Sequence, residues 1–216
     1  MRIEISRPEL LNITDNATGA VSYGGDQAWY RGEWHRRAGC GPTTAANILA
    51  YLALTRPALR ALYGFASLDK ADFTLHMEDT YKFVSPGNRG LNRHEMFTDG
   101  VAKFASSRGV SLAPQVFNVV SNMVRSRAPA DEMAQFVKKG LEADCPIGFL
   151  NLTKGRVKNL HSWHWITLTA ADIGERSLVA EASDEGHGMT FDLRLWYLST
   201  RLRGGLVYFT GDAGTH

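Results

Sequence analysis

Cysteine is scarce in this chain: 216 residues hold only two, Cys40 and Cys145. That is too few for the disulfide framework of a small secreted scaffold, and a chain this long can bury a core of its own. A surplus of one charge is lacking too, since 24 Lys and Arg against 22 Asp and Glu leave a net charge of +2. Arg36-Arg37 and Lys138-Lys139 are isolated pairs rather than a basic stripe, which argues against a nucleic-acid partner. No stretch of about 18 apolar residues is available to span a bilayer. Met1-Arg2-Ile3-Glu4-Ile5 has no uninterrupted apolar run of the kind a signal peptide needs. These absences predict a soluble cytoplasmic protein with neither a membrane nor a nucleic acid as partner.

Metal-ligand spacings are missing as well. There is no C-x-x-C and no H-E-x-x-H. His161-Ser162-Trp163-His164 is an H-x-x-H, but residues three apart on a strand face opposite sides. No metal and no cofactor is expected. Internal repeats and low-complexity linkers are also absent, so residues 1–216 read as a single domain.

What is present divides about two-thirds of the way along. Thr43–Leu54 sets Ala45, Ile48, Leu49 and Leu52 on one helical face, with Pro42 suited to the start of that helix. Further helices are expected around Pro57–Tyr63, Phe73–Val84, Arg93–Arg108 and Asp131–Leu141. After Pro146 the pattern changes to strands: Ile147–Leu152, Trp163–Ala170, Leu178–Ser183, Met189–Leu193 and Leu206–Thr210. Helices first and strands later predict an α+β fold, an N-terminal helical half packed on a C-terminal antiparallel sheet half.

Cys40 stands where the first long helix begins. A thiol attacks carbonyl carbon as its thiolate, and a helix N-terminus favours negative charge through its unpaired amides. Gly39 and Gly41 would let a substrate backbone approach and would permit an unusual turn. Cys145, beside Pro146 at the mouth of an apolar strand, reads as a structural residue. A cysteine nucleophile needs a base, and the base needs an orienting group. His164 lies in the aromatic-rich strand Trp163–Leu168, and Asp184 projects from the apolar face of the next strand. A hairpin symmetric about Gly174 would pair Ala170 with Leu178 and His164 directly with Asp184. His35, His76, His94, His187 and His216 stand in polar or loop contexts and read as surface residues. For the oxyanion, the Cys40 N–H and the Gln27 side chain are the natural donors, with Trp34 or His35 as the nearer upstream alternatives.

Together these residues resemble the papain-like cysteine peptidases, most closely the C39-like branch related to bacterial bacteriocin-processing peptidases. The resemblance is carried by Gln27, by Gly39-Cys40-Gly41-Pro42-Thr43-Thr44-Ala45, by His164-Trp165-Ile166-Thr167-Leu168, and by Ser183-Asp184 with Gly186 after it. It implies hydrolysis of a peptide or amide substrate through a thioester, with Cys40 as nucleophile, His164 as base, Asp184 as orienter and Gln27 at the oxyanion hole. The same constellation runs acyl or peptidyl transfer in transglutaminase- and transpeptidase-like enzymes. Two other readings stand beside it: a papain-like scaffold kept as a binding module, and a metal hydrolase built on His161 and His164. Two departures from the family pattern are visible. The gap from Gln27 to Cys40 is long, and the Asp-Pro common in the C39-like branch is missing, which admits Glu181 or Asp172 in place of Asp184.

Overall fold

The computed structural model describes residues 1–121 and 127–213. The strands are β1 (Arg2–Glu4), β2 (Asn12–Thr14), β3 (Val21–Tyr23), β4 (Val110–Val119), β5 (Ile147–Asn151), β6 (His164–Ile173), β7 (Leu178–Asp184), β8 (His187–Asp192) and β9 (Gly204–Ala213). The helices are α1 (Glu33–Ala38), α2 (Cys40–Thr55), α3 (Lys70–Tyr81), α4 (His94–Ser107), α5 (Ala130–Glu142) and α6 (Leu193–Ser199). The architecture is α+β. A seven-stranded sheet runs in the order β4-β9-β5-β6-β7-β8, and β1 pairs with β6 just beyond the start of β5. The pairings in this sheet are antiparallel.

Helix α2 is the centre of the molecule. Every residue from Gly41 to Ala53 is buried, not only the stripe that carries Ile48 and Leu49. A helix apolar all round must be enclosed on all sides. Each buried Leu or Ile contributes on the order of 1.5–3 kcal/mol to holding it there. Thr44 and Ile48 of α2 and Phe97 of α4 lie against Gly148 of β5. The neighbouring Phe149 points the other way, to Phe191 and to Trp196 of α6, at ring separations of 5.5 and 4.5 Å. Helices therefore cover both faces of the sheet's centre.

The division into halves is less clean than the sequence suggests. The N-terminal part supplies β1 and β4 to the sheet, and α6 lies among the C-terminal strands. The predicted helix at Pro57–Tyr63 is a 3₁₀ segment, Pro57–Leu62. The β6–β7 register also differs from the expected one. The turn pairs Ile173 with Leu178, and Ala170 lies opposite Glu181 rather than Leu178. A bulge at Thr169 then shifts the register, so that Leu168 meets Ala182 and Thr167 meets Ser183. The bulged residue is held from outside the hairpin, its carbonyl accepting the Ile5 N–H at 3.0 Å.

Candidate active site

The chain enters the site through a short 3₁₀ turn, Gln27–Trp29, capped by the Asp26 carboxylate, which accepts the Ala28 N–H at 2.8 Å. Helix α1 then fills half of the long interval between Gln27 and Cys40. Gly39 joins α1 to α2 with an ordinary right-handed conformation, φ −83°. A Cβ there would lie 2.3 Å from the His35 carbonyl oxygen and 2.5 Å from the Tyr30 ring. At Gly41 it would lie 2.6 Å from Leu91. Both glycines are buried. They flank Cys40 because neighbouring groups press against them, which corrects the expectation of an unusual turn open to substrate.

Cys40 is the first residue of α2 and is half-buried. The amides of Cys40 and Gly41 have no acceptor one turn earlier within the helix, and Pro42 has no N–H, so the start of α2 favours an anion. His164 opens β6 after Trp163, which has a left-handed φ of 59°. That conformation is costly for a bulky side chain and marks the approach to His164 as strained. Asp184 closes β7. Beyond it, Glu185 and Gly186 both have positive φ, 47° and 77°, and Asp184 pairs with His187. This is a two-residue hairpin turn with positive φ at both central positions. It explains the missing Asp-Pro: a proline at 185, fixed near φ −65°, could not make this turn.

His164 Nε2 lies 2.6 Å from Asp184 Oδ1, and both side chains are largely shielded from solvent. They are not directly opposed as the sequence suggested. Thr167 faces Ser183, so Asp184 reaches His164 along a diagonal of the ladder. The Thr169 bulge makes this possible. In the register set at the turn, Asp184 would share a face with Thr167, one parity away from His164. The one-residue shift moves it to the His164 face.

Asp184 occupies Nε2, which leaves Nδ1 for another partner. Cys40 lines the same pocket as the ring, near enough to favour its protonated form. Burial works against the imidazolium, but the hydrogen bonds and charges of Asp184 and Cys40 outweigh it, and the pKa of His164 is pushed up to about 10. Cys40, His164, Asp184 and Gln27 line one pocket with Asn47 and Trp165. Its free volume is about 10 Å³, space for roughly one water. Gln27 Oε1 is buried there without a hydrogen-bond partner. An unpaired buried amide oxygen costs about 1–3 kcal/mol, and turning the carboxamide over would present N–H at the same place.

The rival residues lie elsewhere. Glu181 and Asp172 both pair with Arg2 at the surface, which removes them as orienters. Trp34 is exposed, and the His35 ring stacks on Tyr81 at 3.9 Å with its Nδ1 3.4 Å from Glu78, so neither replaces Gln27. Cys145 is buried: it donates to the Phe209 carbonyl, accepts from Arg56, and burial pushes its thiol up. His161 lies before β6 rather than on it, and its ring is 6.2 Å from that of His164 instead of on the opposite side of a strand. Donor atoms of His164, Asp184 and the exposed Glu185 lie within 4.8 Å of one another, but Nε2 and Oδ1 are already joined to each other. Two histidines read as surface residues are buried, His76 and His94. His216 lies outside the described residues.

Sequence reasoning missed Asn47. Its Oδ1 accepts the Gly25 N–H at 2.9 Å, and its Nδ2 donates to Thr167 Oγ1 at 3.1 Å and to Ser183 Oγ at 3.5 Å. One buried amide thus joins the Cys40 helix, the Gln27 segment, the His164 strand and the Asp184 strand. Ser183 also donates to the Tyr23 carbonyl at 2.6 Å, and the Tyr23 N–H donates to Gly186. A polar residue at the centre of an otherwise apolar helix was the available signal, since a buried amide must find partners.

No protein-family model matches the sequence, and no curated protein matches it. Among solved structures, that of the Pseudomonas avirulence protein AvrPphB is similar over 79% of this chain and 90% of that one, with 10% identity and a TM-score of 0.36. At that score the likeness carries no argument about activity, and any functional reading rests on the geometry of the site.

Proposed function

We propose that this chain is a papain-like cysteine hydrolase acting on peptide or amide bonds through a thioester. The observation that carries this reading is His164, bonded through Nε2 to Asp184 at 2.6 Å and lining one tight pocket with Cys40. With its pKa near 10, the ring is protonated at neutral pH, and attack on a carbonyl uses the Cys40 sulfur as its thiolate. The thiolate adds to the substrate carbonyl carbon, and the C=O electron pair moves onto oxygen. The Cys40 N–H and the Gln27 amide are the donors for that oxyanion. As the tetrahedral centre collapses, His164 gives its proton to the departing amine and a thioester remains. A water, losing a proton to His164, attacks the thioester and releases the acid and the thiolate. Asp184 holds the ring in place and balances its charge. A substrate carbonyl meets the sulfur at the mouth of this tight pocket, where partial desolvation strengthens the charged pair. The C39-like placement rests on the order Gln, Cys, His, Asp and the Gly-Cys-Gly-Pro sequence alone.

The test is hydrolysis of a fluorogenic peptide-amide mixture by wild type and Cys40→Ala, with product analysis in the presence and absence of an added primary amine. Wild type should release fluorophore and Cys40→Ala should not. Amide product formed with the added amine would mark a transferase on the same thioester. Equal turnover by Cys40→Ala would end the cysteine mechanism.

A further inference from the structure

Acidic residues are absent from two segments that meet in space. No Asp or Glu stands between Asp144 and Asp172, nor between Asp192 and Asp212. The first segment includes Lys154, Arg156 and Lys158, and the second Arg194, Arg201 and Arg203. In a chain whose net charge is only +2, this is a strong local imbalance. The two segments enclose a cavity of about 530 Å³ lined by Lys154, Arg156 and Arg201 together with Ser162 and Ser199. No carboxylate lines it.

The walls are fixed by hydroxyl–amide bonds. The Lys154 N–H donates to Ser162 Oγ at 3.1 Å, the Arg156 N–H to Ser199 Oγ at 2.9 Å, and the Arg201 N–H to Thr153 Oγ1 at 3.3 Å. Thr153 and Thr200 hydroxyls are themselves bonded at 2.7 Å. The backbone under each of the three cations is therefore tied down. Among the described residues, none of their three side chains makes an ion pair or a hydrogen bond. Arg194, by contrast, is taken by Asp131 at 2.9 Å. Cations that line one cavity without partners repel one another, and an anion between them relieves that repulsion.

The position says what that anion belongs to. Ser162 is in the wall of this cavity, and the exposed, strained Trp163 alone separates it from His164. The wall of the cavity thus lies two residues along the chain from His164. The cations gather around one open hollow rather than along a stripe, which suits an acidic side chain better than a nucleic-acid backbone. Resting on the hydrolase reading above, we propose that Lys154, Arg156 and Arg201 form a specificity subsite for an acidic residue of the polypeptide cleaved at Cys40. Arg guanidinium forks bind carboxylates in pairs of hydrogen bonds, which gives the preference for Glu or Asp its geometry.

The test uses two fluorogenic peptide mixtures that differ only in Glu against Gln at the varied positions. They are offered to wild type and to Arg156→Gln/Arg201→Gln, with Lys154→Gln as an independent variant and thermal melting as a control on folding. Wild type should show kcat/KM about tenfold higher on the Glu mixture. The double variant should lose that preference and keep its activity on the Gln mixture. Equal turnover of both mixtures by wild type would overturn the subsite and leave the hydrolase standing. If neither mixture is cleaved, binding of the Glu peptides to Cys40→Ala, read by fluorescence anisotropy at low and high salt, separates the two ideas. Salt-sensitive binding lost in the Arg156→Gln/Arg201→Gln background would support the anion site without the hydrolase, and no binding would end the subsite.

Discussion

His76 and His164 are both buried, and the two environments pull them in opposite directions. His76 sits inside the helical layer, ringed by Tyr63, Phe65, Phe73 and Phe104, with its Nε2 3.1 Å from the Ala46 carbonyl. Burial there pushes its pKa down to about 4, and the carbonyl offsets only part of that. His164 is nearly as well shielded, but Asp184 and Cys40 reverse the sign and raise it to about 10. Equal burial thus yields a neutral ring in one place and a cation in the other. What decides is whether an anion is buried with the ring. The apolar box suits a structural imidazole, and the cleft suits one that must hold and release a proton.

The sharpest way to break this comparison is to remove each ring in turn. His164→Ala should lower kcat/KM by about 10²–10⁴-fold, as expected for loss of a general acid–base. His76→Ala should leave kcat near wild type but cost about 2–5 kcal/mol of stability through the cavity it opens. Urea titrations read beside peptide-amide turnover would check both, and a collapse of activity in a folded His76→Ala would blur the distinction. Asp184→Ala sharpens it from the other side. Its loss of kcat should be smaller than that of His164→Ala by about one to two orders of magnitude, because an orienting group carries no proton itself. Steady-state kinetics that rank the two variants in reverse would move the base elsewhere.

The smallest effect expected is on stability against pH, and the two rings predict opposite limbs. His164 has a folded pKa of about 10, raised from 6.5, so its contribution is full below pH 6.5 and is lost as pH rises through 10. His76 is lowered from 6.5 to about 4, so its contribution is present above pH 6.5 and is lost as pH falls through 4. Melting temperatures of wild type should fall along both limbs. His164→Ala should flatten the alkaline limb alone and His76→Phe the acid limb alone, and a variant that flattens the wrong limb would refute the assignment.

The sequence carried the helix start at Cys40 clearly because its surroundings are local. Gly39, Gly41, Pro42 and the apolar run after them specify a helix start without reference to the rest of the chain. His164 and Asp184 were legible as residues, but the way they meet was not. Their register depends on Thr169, whose carbonyl answers to Ile5, the residue just after β1 and more than 160 residues away. Strand β4 escaped notice because Pro114 interrupts it, and a proline is tolerated there since β4 lies at the edge of the sheet. His76 carried a signal that was passed over: it lies three residues after Phe73 and next to Met77, at helical spacing with buried neighbours. His94, Nε2 unpaired beside Trp165, had no comparable mark.

The bulge at Thr169 also bears on how this site tolerates change. A substitution there alters one side chain, whereas deleting the residue would restore an even ladder and turn Asp184 toward the wrong side of the sheet. The site is therefore more sensitive to the number of residues between its base and its acid than to which residues they are. A designer copying the His164–Asp184 pair onto an idealised hairpin would have to copy the miscount along with it.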